Sequence, residues 1–156
     1  MAEVTYYFNS HTGGWGTDPN NLDDGSDSTY AGGGVSETQT EISTSCPGDN
    51  LGYISKVEWR AKIYSGQALG SGNFLTITIK SSGGDTLNAI NFNATGAPVS
   101  WYSYTELTGI TKVWTELSNL QAVCLSKLAS TRCYQVEILV TYLPKSNAKS
   151  QAIFIH

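Results

Sequence analysis

The chain is poor in charge and in the residue types that most often carry catalysis. Charged residues make up 14% of its 156 residues, with nine basic and thirteen acidic side chains, and only two residues are histidines. A net charge of −4 leaves no basic surface for a phosphate backbone, so we expect no nucleic-acid partner. With 40% hydrophobic residues, the chain also differs from disordered proteins and should fold by itself.

Long apolar segments are missing as well. Residues 1–10 have neither the basic start nor the apolar stretch of a secretory signal. The longest apolar stretch, residues 136–143, is interrupted by Glu137, whereas a membrane-spanning helix needs about 18 such residues. We therefore expect no signal-directed export and no membrane partner.

The cysteines and histidines match no established chemical motif. Cys46, Cys124 and Cys133 have no C-x-x-C spacing and are odd in number, so free thiols are expected; a Cys124–Cys133 bond across a hairpin is the alternative. His11 lies in a glycine-rich segment and His156 at the last position, neither placed for acid–base work. Serine-hydrolase, zinc-protease and phosphate-loop motifs are absent. We predict that the protein is not an enzyme.

Alternation of apolar and polar residues is the main structural signal. In residues 53–64, Tyr53, Val57, Trp59 and Ile63 fall on one face and charged residues on the other, as a half-buried strand requires. Residues 75–80 and 87–93 predict a hairpin around Gly83-Gly84-Asp85, and residues 134–142 predict a central strand. Weaker strand patterns cover residues 3–8, 35–43, 99–107, 120–127 and 151–155.

About eight short strands separated by turn residues predict an all-β fold, an antiparallel sandwich of jelly-roll type, over residues 1–143. Within it, residues 9–34 are rich in glycine and aspartate and predict a long loop. Residues 144–156 predict a polar linker and an apolar arm. The arm's Ile153, Phe154 and Ile155 need a partner surface, either the chain's own sheet edge or another subunit.

Oxygen-bearing side chains cluster in Asn21-Leu22-Asp23-Asp24-Gly25-Ser26-Asp27-Ser28-Thr29-Tyr30, as a hard cation would require. This segment resembles the Asp-Gly-x-x-x-Thr-aromatic loop of galactose-binding-like β-sandwiches. The resemblance implies a structural calcium ion held by Asp24, Asp27 and Thr29, with Tyr30 as a core anchor. The alternative is an Asx-turn loop whose aspartates bond their own backbone. Calcium is the one candidate cofactor.

A second resemblance covers two C-terminal segments, Trp114-Thr115-Glu116-Leu117-Ser118-Asn119-Leu120-Gln121-Ala122-Val123 and Cys133-Tyr134-Gln135-Val136-Glu137-Ile138-Leu139-Val140-Thr141-Tyr142. These look like the closing strands of jelly-roll modules in tailed-phage structural proteins, including head decoration and fibre proteins. The resemblance implies that Trp114 closes one end of the sandwich. It also implies a non-catalytic protein of the virion, made in the host cytoplasm, which forms a homo-oligomer and contacts capsid or other virion proteins.

A carbohydrate-binding module with a structural calcium is the alternative function. Four tryptophans and nine tyrosines could supply rings that stack on sugars, and Trp15, Trp101 and Tyr102 are the candidates near loops. The competing interpretation is that these three rings belong to strands and the core. A glycan is therefore the alternative partner.

Overall fold

The computed structural model describes residues 1–66 and 72–146. Within these residues the chain forms ten β-strands, one short 3-10 helix and one helical turn. The strands are β1 (Ala2–Gly13), β2 (Ala31–Gly33), β3 (Thr38–Thr44), β4 (Gly52–Tyr64), β5 (Asn73–Lys80), β6 (Thr86–Asn93), β7 (Val99–Trp101), β8 (Thr105–Glu106), β9 (Gln121–Ser126) and β10 (Thr131–Pro144). The 3-10 helix is Pro19–Leu22 and the helical turn, α1, is Trp114–Leu117.

The strands form nested antiparallel pairs. Strand β1 pairs with β10, β3 with β9, β4 with β7 and β8, and β5 with β6. Further pairing of β10 with β4, and of β9 with β5, assembles two four-stranded sheets. Their strand orders are β1-β10-β4-β7/β8 and β3-β9-β5-β6. This nesting is that of a jelly roll. The predicted all-β antiparallel fold is confirmed, with the strand expected at 99–107 divided into β7 and β8, and with β2 in addition.

Strand β1 belongs to both sheets. Its first half pairs with β10, from Ala2 to Tyr7, and its second half pairs with β3, from Phe8 to Gly13. Register shifts on both sides of Ser10 bend the strand between the two partners. The sequence predicted that this strand ends at Phe8, so the segment expected to be a loop, residues 9–34, instead begins with five strand residues and contains the 3-10 helix and β2.

The core lies between the two sheets and contains the predicted apolar faces. Trp59, Phe74 and Phe92 are buried, and the indole Nε1 of Trp59 donates a hydrogen bond to Asn88 Oδ1 at 3.2 Å. Strand β10 lies between β1 and β4, which confirms that it is central. Burial of such side chains contributes about 1.5–3 kcal/mol each and is the main stabilising term of the fold.

A bulge near the start of β4 changes which residues of the strand face the core. The register with β10 shifts between Thr141 and Tyr142, so that Ile54 is buried while Tyr53 is 73% exposed. Beyond the bulge, Val57 and Trp59 point inward as expected. The placement of Tyr53 on the buried face was therefore wrong, because an extra residue in one strand moves the preceding side chains to the opposite face.

All three cysteines are free and buried. Cys124 and Cys133 lie on β9 and β10, which belong to different sheets and do not pair, so the hairpin bond considered as an alternative does not form. Burial raises the pKa of both thiols far above their usual range. Because the thiolate is the reactive form, these cysteines are inert core residues.

Gly33 allows β2 to approach β9 from across the sandwich. A Cβ atom at Gly33 would lie 2.6 Å from Ser126 Cβ and 2.8 Å from Trp15 Cδ2. We expect Gly33→Ala to destabilise the fold by about 1–3 kcal/mol, as overpacking does, measured by urea unfolding. In the control Gly14→Ala the new Cβ would lie 3.5 Å from Pro19, an ordinary contact. Equal stability of the two variants would contradict this account of β2.

Candidate functional site

The predicted calcium ligands are already engaged within the protein. Asp24 Oδ1 accepts a hydrogen bond from the Ser26 backbone N–H, and Asp24 Oδ2 accepts one from Thr29 Oγ1, both at 2.7 Å. Asp27 instead receives a hydrogen bond from Lys62 Nζ on β4 at 3.0 Å, which lowers the pKa of the Asp27 carboxyl. The structure thus brings Asp24 and Thr29 together in the manner of the Asx-turn alternative, and turns Asp27 toward β4.

The three aromatic candidates occupy different environments. Trp15 is only 2% exposed, and its Nε1 donates to the Cys124 carbonyl oxygen, so this ring lies in the core, as the competing interpretation has it. Trp101 is half-buried, and the Arg60 guanidinium lies 4.2 Å from the centroid of the Trp101 ring. Tyr102 packs edge-on against Phe92 at 4.6 Å.

Trp101 and Tyr102 nevertheless share a shallow cleft. Its volume is about 290 Å³, and most of its other lining residues carry small side chains or hydroxyl groups. The lining residues are Ser65, Thr95, Ala97, Ser100, Trp101, Tyr102 and Ser103. A ring beside several hydroxyl groups is a combination that can bind a polar, flat ligand.

A larger groove lies at one end of the sandwich, between the start of β4, the end of β10 and residues 112–115. Its volume is about 640 Å³. Three of its apolar side chains are exposed, Tyr53 at 73%, Leu143 at 59% and Val113 at 46%. Trp114 forms part of the lining, packs edge-on against Tyr142 at 5.2 Å, and donates from Nε1 to the Gly52 carbonyl oxygen.

The chain leaves β10 along this groove. Pro144 and Lys145 line it, and the Lys145 backbone N–H donates to the Leu51 carbonyl oxygen at 3.1 Å. The predicted interface residues Ile153, Phe154 and Ile155, and the strand expected at 151–155, lie outside the described residues. Sequence reasoning missed the groove because it placed Tyr53 inside the core.

A polar cluster lies where β1 meets β3, and sequence reasoning missed it too. The bend in β1 sets His11 opposite Glu41 of β3. His11 Nδ1 and Asp23 Oδ2 are 2.8 Å apart, and Asp23 directly follows the 3-10 helix. His11, Asp23 and Glu41 each place one potential ligand atom within 4.8 Å of the others. His11, which the sequence analysis considered only for acid–base work, therefore lies beside two carboxyl groups.

Gln39 holds this cluster from the neighbouring inward position of β3. Its Nε2 donates to Glu41 Oε1 at 2.7 Å and to the Pro19 carbonyl oxygen at 2.8 Å, and its Oε1 accepts from the Trp15 backbone N–H. Two consecutive inward positions of β3 are therefore polar, which hydrophobic alternation cannot reveal. The signal available in the sequence was Gln39-x-Glu41 on a predicted strand.

Burial dominates the electrostatics of Glu41. It raises the pKa of the Glu41 carboxyl to about 8, and Asp23 raises it further, while the Gln39 amide opposes the rise. His11 on β1, Asp23 after the 3-10 helix, Cys124 on β9 and Cys133 on β10 are the titratable groups around it. Glu41 is thus a neutral acid over much of the physiological range when no cation is present.

No protein-family model, curated protein or solved structure matches this chain. Within residues 1–66 and 72–146, each of the two helical elements has four residues, and neither is long or apolar enough to cross a membrane. What the protein binds must therefore be inferred from the geometry of its own residues.

The raised pKa of Glu41 predicts a specific dependence of stability on pH. Between about pH 4.5 and 8 the folded state binds more protons than the unfolded state, so the free energy of unfolding should fall as pH rises, by up to about 1.4 kcal/mol per unit. Chemical unfolding in metal-free buffer should show this slope in the wild type and not in Glu41→Gln. Glu3→Gln, which changes an exposed carboxylate on β1, is the control and should keep the slope. A slope that survives in Glu41→Gln would contradict the assignment.

Proposed function

We propose that this protein is a non-catalytic structural protein of a virion, a capsid decoration or fibre module, which acts through protein–protein contacts and forms a homo-oligomer. The observation that supports this proposal most directly is the apolar groove at the end of the sandwich. Tyr53, Val113 and Leu143 keep large apolar surfaces in water there, whereas the other exposed large apolar residues in the described part of the chain are Met1, Val35 and Leu51. Grouped exposed residues of this kind characterise interaction surfaces.

The groove has the composition of a protein-binding surface. It combines two aromatic residues, Tyr53 and Trp114, with aliphatic Ile54, Val113 and Leu143. Lys112 and Lys145 also line it, and Lys112 Nζ donates to the Ser55 carbonyl oxygen at 2.6 Å. An apolar centre with a polar rim is the usual arrangement of an interface, and aromatic residues are the usual anchors of its affinity.

We propose that the occupant is the apolar arm of a second copy, with Ile153, Phe154 and Ile155 as anchors. In the sequence, the arm follows residues 143–145, which line the groove. Residues 145–150 are polar except for Ala148 and contain neither glycine nor proline. In extended conformation this six-residue spacer covers about 20 Å. The arm of the same chain would need less than this length to enter a groove that Lys145 already lines, and the length is enough for the arm to reach a neighbouring molecule.

Removal of the arm or alteration of the groove should therefore abolish self-association. We expect light scattering to give a dimer or larger assembly for the full chain, and a monomer for residues 1–146 and for Tyr53→Ser combined with Leu143→Ser. Val35→Ser is the matched control, because Val35 is 65% exposed and lies outside the groove. This control should assemble like the wild type.

Mixing the two defective chains tests whether the contact joins different molecules. Residues 1–146 keep an intact groove, and the full-length groove variant keeps an intact arm, so the mixture should form a one-to-one complex. A full chain that is monomeric at all concentrations, or a complex that survives both changes, would overturn the arm-and-groove contact.

The virion role needs a separate measurement. Mass spectrometry of particles purified by density gradient from cells that carry the gene should detect the chain at a constant ratio to the major shell protein. Recovery only in the particle-free fraction would overturn the virion role and leave the self-association result unaffected.

The cleft beside Trp101 favours carbohydrate binding as the second candidate function, since Trp101 and Tyr102 lie beside the hydroxyl groups of Ser100 and Ser103. In this case a glycan array should give saturable binding. The affinity should fall at least about tenfold in Trp101→Ala, because the stacking of the indole ring on the sugar is lost. Tyr53→Ser, in the distant groove, should bind normally. An array without hits, with and without calcium, would remove this candidate.

A further inference from the structure

Three ligand-type side chains converge from three separate segments at the bend of β1. His11 comes from β1, Glu41 from the facing position of β3, and Asp23 from the residue that follows the 3-10 helix. One nitrogen or carboxylate oxygen from each lies within 4.8 Å of the other two. His11 and Asp23 are largely buried, and Glu41 is fully buried. The two strands are held by ladder hydrogen bonds, so the arrangement is preorganised.

A second observation concerns the hydrogen bonds of Glu41. Glu41 Oε1 receives the Gln39 amide, but Glu41 Oε2 is buried and has no hydrogen-bond partner among the described residues. A buried oxygen without a partner costs about 1–3 kcal/mol, and more if it carries charge. Native proteins rarely leave such an atom unsatisfied unless an ion or a water molecule completes its surroundings.

We propose that His11, Asp23 and Glu41 form a binding site for a divalent transition-metal ion, with Zn²⁺ as the expected occupant. One imidazole and two carboxylates suit zinc, whereas calcium takes six to eight oxygen ligands and no nitrogen. A divalent cation balances two carboxylates and supplies the partner that Glu41 Oε2 lacks. Three protein ligands leave one position of a tetrahedral ion for water.

The surroundings of the site support this assignment. Gln39 orients Glu41 and is itself held by the Pro19 carbonyl oxygen and the Trp15 backbone N–H, as second-shell groups commonly do around metal ligands. The ion would join β1, β3 and the segment after the 3-10 helix at one point. It would thereby tie the 17-residue connection between β1 and β2 to the sheet.

Titration of the full chain with zinc sulfate after chelator treatment tests the site. We expect one ion bound per chain by calorimetry and a higher melting temperature at saturating Zn²⁺, because a ligand of the native state stabilises it. His11→Gln and Glu41→Gln should each weaken Zn²⁺ binding by at least about tenfold to 100-fold. Asp24→Asn is the matched control, because Asp24 is a carboxylate next to Asp23 that belongs to the Asx turn.

Two further readouts keep the proposal testable if a variant does not fold. The chain has only two histidines, so ¹⁵N imidazole spectra of the wild type report His11 directly, and Zn²⁺ should shift the His11 signals and leave those of His156 unchanged. Cobalt absorption should show a tetrahedral or five-coordinate ion without a thiolate charge-transfer band. A thiolate band would place the metal on cysteine and overturn this ligand set.

The remaining outcomes are equally decisive. Absence of saturable Zn²⁺ binding at millimolar concentration would overturn the site, and so would full affinity in both His11→Gln and Glu41→Gln. Loss of binding in Asp24→Asn with retention in Glu41→Gln would move the ion to the loop from which the sequence predicted calcium. Neither result depends on whether the protein self-associates through the groove.

Discussion

The structure depends on one strand that hydrogen-bonds to both sheets. The first half of β1 completes the sheet that contains β10, and the second half completes the sheet that contains β3. Because backbone hydrogen bonds must be satisfied in both halves, the bend around Ser10 can occur only where the two sheets meet. This bend sets His11 opposite Glu41, and the other half of the strand aligns the central strand whose end forms the groove.

The polar cluster and the apolar groove are consequences of the same double-sheet arrangement, at different places. Between the sheets, Gln39 and Glu41 point inward and are matched by groups from the segment that connects β1 to β2. At the end of the sandwich, the apolar side chains of Tyr53 and Leu143 are exposed among the described residues. The first arrangement places a carboxyl group in the interior, and the second leaves apolar surface in contact with water.

On the outer face of the sheet that contains β10, charged groups and aromatic rings contact one another. The Arg60 guanidinium lies between the rings of Trp101 and Tyr104, with centroids at 4.2 and 4.3 Å, and pairs with Glu137. Tyr104 donates its hydroxyl hydrogen to the same carboxylate, and burial raises the pKa of Tyr104 to about 12. Trp101 therefore offers a partly covered ring, which is why the glycan-binding candidate depends on the cleft rather than on a free aromatic platform.

The sequence by itself determined the long strands whose apolar residues alternate with polar ones. Alternation with a period of two is imposed by the pleat, so β4, β5, β6 and β10 could be predicted from residues such as Val57, Trp59 and Ile138. Alternation could not show that β3 directs ligand-type side chains into the interior. Gln39 and Glu41 occupy its inward positions, whereas Ile42 does not. Nor could it show that Tyr53 is exposed. Bulges decide which of these side chains face inward, and a bulge is set by pairing with strands that are distant in sequence. Only the tertiary structure therefore determined which side chains meet at the cluster and which remain exposed at the groove.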